Sequence, residues 1–306
     1  MTGPHAVGID IGGSKIAAGL VDLSNGAIVE RRQVATDGSD GGASALAAAV
    51  DLALALIHEG ESRELALTGI GVGVPELVDT GGIVRSSYNF AWAGTALAEC
   101  FATAMPDGMP AAMIESDVRA AARAEMLFGA ARKHRICAYV TVGTGISYCL
   151  CIDGKPYAGA HGYAIHFAST PLSMRCSACG SLQAPVVEEL ASGPGLARAF
   201  ATATGAPTGS AEQVLAEAVS GHPVAGAVVA DAARLLGASI GMLINMLDPE
   251  AVVIGGGLGT AEGPYWPALV AATRTHIFAE DCREIPILHA ALGADAGIVG
   301  AAACFL

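Results

Sequence analysis

One supersecondary pattern occurs twice in this chain, and it limits the folds available. Residues Ala6-Val-Gly-Ile-Asp-Ile-Gly-Gly-Ser-Lys-Ile-Ala-Ala-Gly-Leu-Val-Asp22 form two apolar runs around a Gly-Gly turn. Residues Ala138-Tyr-Val-Thr-Val-Gly-Thr-Gly-Ile-Ser-Tyr-Cys-Leu-Cys-Ile-Asp-Gly154 repeat the order of apolar run, Gly turn, apolar run and polar turn. Each copy opens one half of the chain, which predicts two related domains. At 306 residues the chain is also longer than one ordinary core supports.

The rest of the pattern alternates strands and helices, so the fold class is α/β. Ala27–Val34, Ala66–Val74, Ala112–Ile114, Ala251–Ile254 and Ile285–Leu288 read as strands. Ser44–Glu59 has apolar residues at helical spacing and ends at Gly60. Asp117–Phe128, Val224–Leu247 and Ala294–Cys304 read as helices, and Ala158–Gly195 as a loop-rich stretch.

Composition excludes several function classes. Lys and Arg number 16 against 29 Asp and Glu, a net charge of −13, with Lys only at positions 15, 133 and 155. Without a basic stripe the chain is a poor nucleic-acid binder, so an anionic ligand must be held locally, by backbone N–H groups or through a metal ion. The start, Met-Thr-Gly-Pro-His-Ala, lacks a basic and then apolar leader. The richest apolar run, Ala45–Ile57, is interrupted by Asp51 and falls short of the roughly 18 residues of a membrane span. The eight Cys are scattered, several within strand-like runs, as free thiols in a reducing compartment would be. These features predict a cytoplasmic protein with no membrane or nucleic-acid partner.

Three Gly-rich turns follow apolar strands: Asp10-Ile-Gly-Gly-Ser-Lys15, Thr141-Val-Gly-Thr-Gly145 and Gly255-Gly-Gly-Leu-Gly259. Glycine lets backbone N–H groups approach phosphate oxygens closely. Asp10 is placed to hold Mg²⁺ through water, while Ser14 and Thr144 add hydroxyl donors. Any one such turn reads equally well as an ordinary hairpin turn. Three of them across two similar halves point to a nucleotide, although the chain has no G-x-x-x-x-G-K-[ST] motif, and no acidic residue stands where a dinucleotide site after Gly255–Gly259 needs one.

Several stretches resemble the ROK family of bacterial sugar kinases, within the sugar kinase/actin/Hsp70 ATPase superfamily, almost end to end. They are Gly8-Ile-Asp-Ile-Gly-Gly-Ser-Lys15, Gly71-Val-Gly-Val-Pro75 with Ser87-Tyr-Asn-Phe-Ala-Trp92, Glu115-Ser-Asp-Val-Arg-Ala-Ala-Ala122, Val140-Thr-Val-Gly-Thr-Gly-Ile146, Gly159-Ala-His-Gly-Tyr-Ala164, Val252-Val-Ile-Gly-Gly-Gly-Leu258 and Leu292-Gly-Ala-Asp-Ala-Gly297. The resemblance implies two RNase H-like domains, 1–116 plus the returning 293–306, and 117–292, with sugar and ATP meeting in a cleft between them. It implies ATP and Mg²⁺ at Asp10, Gly12, Gly13, Ser14, Lys15, Thr144, Gly145, Gly255, Gly256 and Gly257. Family members are often dimers; the apolar Val224–Leu247 helix suits a homodimer face or burial in its own domain equally.

By the same resemblance Asp117 is the general base that takes the proton of the sugar hydroxyl. Its alternative reading is a helix N-cap. Sugar contacts are implied at Pro75, Glu76, Asn89, Ser116, His166 and Glu188. Here the chain departs from its relatives. Ser116 replaces an Asn, Glu76 a Gly and His166 a sugar-binding Glu, and Ser169 stands where relatives have a zinc-binding His. The zinc motif is also altered: Cys176 and Cys179 remain in Cys176-Ser-Ala-Cys179-Gly, and a third Cys is missing. Two secure ligands fall short of the four a structural Zn²⁺ site wants, so tightly bound zinc is not expected.

The departures cluster on the sugar while the ATP loops are intact. The expected activity is therefore ATP-dependent phosphorylation of the 6-hydroxyl of an unusual hexose or amino sugar. The single sugar this favours is kanosamine, 3-amino-3-deoxyglucose, a precursor in antibiotic biosynthesis, with His166 facing its amino group. Glucose and an N-acetylhexosamine are the alternatives within the family. A sugar-responsive regulator would carry a helix-turn-helix before the first Gly turn, and the first strand starts too early to leave room for one. A non-kinase actin-like ATPase is the other competing class, and Asp117 argues against it.

Overall fold

The computed structural model describes residues 3–106, 108–171 and 173–306. In chain order the elements are β1 (His5–Ile11), β2 (Lys15–Asp22), β3 (Ile28–Ala35), α1 (Ala43–Ser62), β4 (Leu67–Val74), α2 (Leu97–Ala104), β5 (Met113–Ser116) and α3 (Asp117–Leu127). Next come β6 (Ile136–Val142), β7 (Ile146–Ile152), β8 (Lys155–Pro156), β9 (Met174–Arg175), β10 (Leu182–Gln183), α4 (Val187–Ala191), α5 (Gly193–Thr204), α6 (Ala211–Val219) and α7 (Pro223–Leu247). The chain ends with β11 (Ala251–Gly255), α8 (Tyr265–Thr275), β12 (Ile287–His289) and α9 (Ala296–Ala302).

The chain divides into two compact units. The first holds the chain up to Arg135, Cys149–Ile165 and Ala291–Leu306; the second holds Ile136–Tyr148 and His166–Ala290. A boundary at 116/117 would separate α3 from its packing partner. In the structure α3 lies against α9 inside the first unit. The approach is close because Gly300 has no side chain: a Cβ there would collide with the Ala120 carbonyl.

The sheet of the first unit has the order β3-β2-β1-β4-β5. β1, β2 and β3 are an antiparallel meander, and β1–β4 and β4–β5 pair in parallel. The second sheet has the order β12-β11-β6-β7-β8, with β11 parallel to both β6 and β12. Each sheet thus starts from one of the two repeated hairpins, as an RNase H-like α/β fold requires.

Burial explains the apolar patterning. β1, β2 and β4 are buried almost throughout, with Ile9, Ile16, Leu20 and Val72 fully enclosed. Each such side chain stabilises the fold by roughly 1.5–3 kcal/mol. α1 and α7 are long and apolar enough to cross a membrane by length and composition alone, beyond what the sequence reading found. In the structure α1 packs Ala49, Leu52 and Leu56 into the first core, and α7 packs Val229, Leu236 and Ile240 into the second.

The stretch read as loop-rich contains more than loop. It carries the short β9–β10 hairpin, α4 and the start of α5. The final helix is shorter than expected, flanked by 3₁₀ turns at Gly293–Asp295 and Ala303–Phe305.

Candidate active site

In the first unit the site is built at the carboxyl ends of β1, β4 and β5. Parallel pairing puts Asp10 beside Gly73, and Gly73 beside Glu115. Asp117 lies two residues past that level, where β5 turns into α3. Gly73 packs under it: a Cβ there would sit 3.6 Å from the Asp117 Cα, in ordinary van der Waals contact. Gly297, in the first turn of α9, makes room for Asp10, whose Oδ2 would be 2.5 Å from an added Cβ.

The two carboxylates sense each other. Burial pushes Asp10 up to about 7, and repulsion from Asp117 adds to this while Lys15 opposes it. Asp117 is pushed up to about 6, again mainly by burial. The Val118 N–H, the Ser116 hydroxyl and the Arg119 charge partly offset the shift, and Glu76 adds to it. Asp117 Oδ1 accepts from Val118 N at 2.7 Å, a bond at the helix start, while Ser116 Oγ lies 3.4 Å away. Two acids held above the usual carboxylate range, at the ends of β1 and β5 on either side of β4, form a set that a hard divalent cation fits, because the cation would relieve both the burial cost and the repulsion.

The first Gly turn is a tight hairpin. Gly12 N donates to Lys15 O at 2.9 Å, and Thr36 anchors the turn through Gly12 O at 2.7 Å and Ser14 O at 3.1 Å. Gly13, Ser14 and Lys15 are exposed at its tip. Asn89 stands beside Gly13, with its Oδ1 3.6 Å from where a Gly13 Cβ would be; its amide donates to Pro75 O at 2.8 Å.

Glu76 has a different place from the one expected of a sugar ligand. It is buried, and its carboxylate accepts from the Ser86 hydroxyl and from the backbone N–H groups of Tyr88, Asn89 and Phe90. With both oxygens engaged, it shapes the loop that carries Asn89. Ser116 is also buried, 1 % exposed, at the N-cap of α3.

In the second unit the other two Gly turns converge. Gly255 pairs with Thr141 at the ends of β11 and β6. Beyond them Leu258 N and Gly259 N both donate to Val142 O, at 3.0 and 3.1 Å. Gly256 adopts a positive φ of 81°, and a Cβ there would strike the Val142 carbonyl. The Gly257 N lies 4.0 Å from where a Gly143 Cβ would stand, so two loops far apart in sequence face one place. Thr144 and Gly145 are exposed at the hairpin tip.

Glu188 belongs to this turn. Its Oε2 accepts from Ile146 N at 2.7 Å and lies 2.8 Å from where a Gly145 Cβ would be. It therefore fixes the first residue of β7, and a side chain at 145 would crowd its carboxylate. His166 is exposed, 3.5 Å from Ser169 Oγ. Cys176 and Cys179 flank the β9–β10 turn, where a hydrogen bond from the Ser181 hydroxyl helps lower the Cys179 thiol to about 7. Among the described residues no group of three or more His, Cys, Asp or Glu side chains comes together to hold a metal ion.

The sequence reading missed Arg119 and Arg123, which both turn toward Glu115. Arg123 holds that carboxylate in a bidentate pair, at 2.5 and 2.7 Å. The signal was available: they are the only cations in an Ala-rich helix, four residues apart and so on one face.

Two RNase H-like units, a Gly hairpin beside paired carboxylates and convergent Gly loops define an actin-like kinase fold. The family model described as "ROK family" matches residues 6–306. A glucokinase of Streptomyces coelicolor is 30% identical over 317 residues, covering 97% of this chain and 96% of its own length. An N-acetylmannosamine kinase of Yersinia pseudotuberculosis is 31% identical over 304 residues, covering 96% of each. Among solved structures, a ROK family glucokinase from Streptomyces griseus in complex with glucose and AMPPNP superposes with a TM-score of 0.80 at 29% identity, over 97% of this chain and 98% of that one. The chain belongs to the ROK family, as a sugar kinase.

Proposed function

We propose that this chain transfers the γ-phosphoryl group of ATP to the 6-hydroxyl of a hexose or amino sugar, with Asp117 as general base. The observation that carries the reading is Asp117 itself: a carboxylate at the end of β5, beside Asp10, held at about 6. A base with a pKa near the working pH combines an ionised population with a useful proton affinity. Asp117 takes the hydroxyl proton as the sugar oxygen attacks. Backbone N–H groups of the Gly12–Lys15 turn face the phosphates in the first unit. In the second unit, Thr144, Gly145 and Gly255–Gly257 take the nucleotide.

Magnesium fits at Asp10, through water, and when bound it supplies charge neutralisation for the phosphates. Asp10 keeps its carboxylate directed to that end of β1 because Gly297 leaves it space.

The sugar we favour is kanosamine. Glu76 and Ser116, two of the residues that differ from relatives, are buried, which leaves His166 and Asn89 as exposed polar groups for a modified ring. A ring amino group has N–H groups that can hydrogen-bond to the exposed imidazole of His166. Glucose and N-acetylmannosamine remain the competing substrates, since the matched relatives carry those names. ADP release measured over a panel of glucose, N-acetylmannosamine, glucosamine and kanosamine decides among them. The kinase reading fails if no sugar raises ADP release above the rate with ATP alone. Kanosamine is excluded if another sugar gives the higher kcat/KM.

A further inference from the structure

A pocket lies in the first unit, and none of the residues lining it is one of those placed above in phosphate or sugar handling. Its volume is about 460 Å³, within the range of small-molecule sites. It opens beside β5, the edge strand of the sheet. Ala98, Met113 and Pro156 give it apolar wall; Glu115, Arg119 and Arg123 give it charge.

The charges on that wall are unevenly paired, because Arg119 and Arg123 share the Glu115 carboxylate. Glu115 is taken up by Arg123 in the bidentate pair. Asp79, the other acid of the wall, accepts from Gly81 N, Ile83 N and Arg85 Nε. Arg119 is only 5% exposed, and the nearest carboxylate oxygen of the wall, on Glu115, is 3.9 Å from its Nε. Its hydrogen bonds go to two neutral carbonyls, Gly162 O at 2.5 Å and Val78 O at 3.2 Å. Asp117 feels the Arg119 charge through space but does not line the pocket. A guanidinium has five N–H donors. Among the described residues, those two carbonyls are the hydrogen-bond acceptors of Arg119.

A buried guanidinium whose neighbouring wall carboxylate, Glu115, is hydrogen-bonded to Arg123 instead, on the wall of a pocket that also has apolar surface, can take an anion. We propose that this pocket binds a small organic anion, its carboxylate or phosphate head on Arg119 and its apolar body against Ala98, Met113 and Pro156. An arginine fork suits either head, and the short aliphatic wall suits a compact body. Arg119 lies in the first turn of α3, the helix that Asp117 begins, so the occupant touches the element carrying the proposed base.

The test uses the full chain and three probes: benzoate, inorganic phosphate and benzyl alcohol, the last a neutral match in shape for benzoate. Binding is followed by isothermal titration and by the melting temperature. Benzoate, phosphate or both should bind saturably, and benzyl alcohol should not. Met113 is 46% exposed and outside the proposed catalytic machinery. Met113→Glu sets a carboxylate on the wall and should weaken anion binding by about tenfold or more, with kinase turnover unchanged. Ala98→Glu repeats the test from another wall should Met113→Glu fold poorly. Benzoate against phosphate separates a carboxylate from a phosphate ligand. The proposal is overturned if neither anion binds by about 10 mM, weaker than a built site of this size. It is equally overturned if benzyl alcohol binds as well as benzoate, or if both acidic variants bind the anions unchanged.

Discussion

The carboxylates of Asp10 and Asp117 repel each other across the carboxyl ends of β1 and β5, and that repulsion adds to burial in holding Asp10 near 7. The arrangement is unfavourable for a protein without its cation. A folded-state pKa above the unfolded value means that the folded chain binds the proton more tightly. Asp10 therefore costs stability when ionised, and that cost disappears as pH falls from above 7 toward about 4. In metal-free protein the melting temperature of Asp10→Asn should exceed that of the wild type at pH 8, and the two should converge only as pH falls to about 4. Added Mg²⁺ should stabilise the wild type at pH 8 and leave Asp10→Asn unmoved. Equal melting curves at pH 8 in chelator would show that Asp10 carries no such cost.

Gly13→Val tests the first phosphate turn. An added Cβ meets only Asn89 Oδ1, at 3.6 Å, and the position is exposed, so the fold should tolerate it. A branched side chain at the tip blocks close backbone approach to a phosphate. ATP affinity, measured by titration, should fall by about tenfold or more with the melting temperature nearly unchanged. Unchanged affinity would remove this turn from the nucleotide site.

Glu76→Gln tests the loop-shaping role. The carboxylate takes one hydroxyl and three backbone N–H groups, and an amide presents donors to some of them. Buried hydrogen bonds to a charged group contribute about 1.5–3 kcal/mol, so denaturant unfolding should show a loss of about 2 kcal/mol or more. A variant of wild-type stability with a raised KM for sugar would return Glu76 to the sugar site.

Tyr265 is fully buried at the start of α8, and among the described residues its hydroxyl has no hydrogen-bond partner. An unpartnered buried polar group costs about 1–3 kcal/mol. Tyr265→Phe should therefore stabilise the protein, by about 1 kcal/mol in chemical denaturation. A loss of stability would mean that the hydroxyl is hydrogen-bonded in solution.

The glycine turns, the strands before them and the carboxylate after β5 were legible in the sequence because each rests on local chemistry. Apolar runs, turn residues and a helix-starting Asp are all read within a few positions. Glu76 and Glu188 were not legible in the same way. Their side chains act on Ser86–Phe90 and on Ile146, and nothing within ten residues of either tells which N–H groups will be orphaned nearby. The home of α3 was hidden for a related reason. It is decided by close packing of Ala120 on Gly300, 180 residues later, where small residues matter for what they lack. The α4 and α5 helices were obscured by the Gly and Pro at their ends, Gly193-Pro-Gly195 marking a helix start and not only a loop.

The central claim is that Asp117 takes the proton of the sugar hydroxyl, and steady-state kinetics of Asp117→Asn test it most directly. Asn is nearly isosteric and keeps an oxygen for Val118 N, so α3 should form as before. A positioned base contributes roughly 10²–10⁴-fold, and kcat should fall by about that factor while KM for the sugar stays within a few-fold. Near-normal turnover would contradict the account and leave Asp117 as a helix cap. A steep rise in KM with kcat intact would contradict it equally, making Asp117 a sugar anchor.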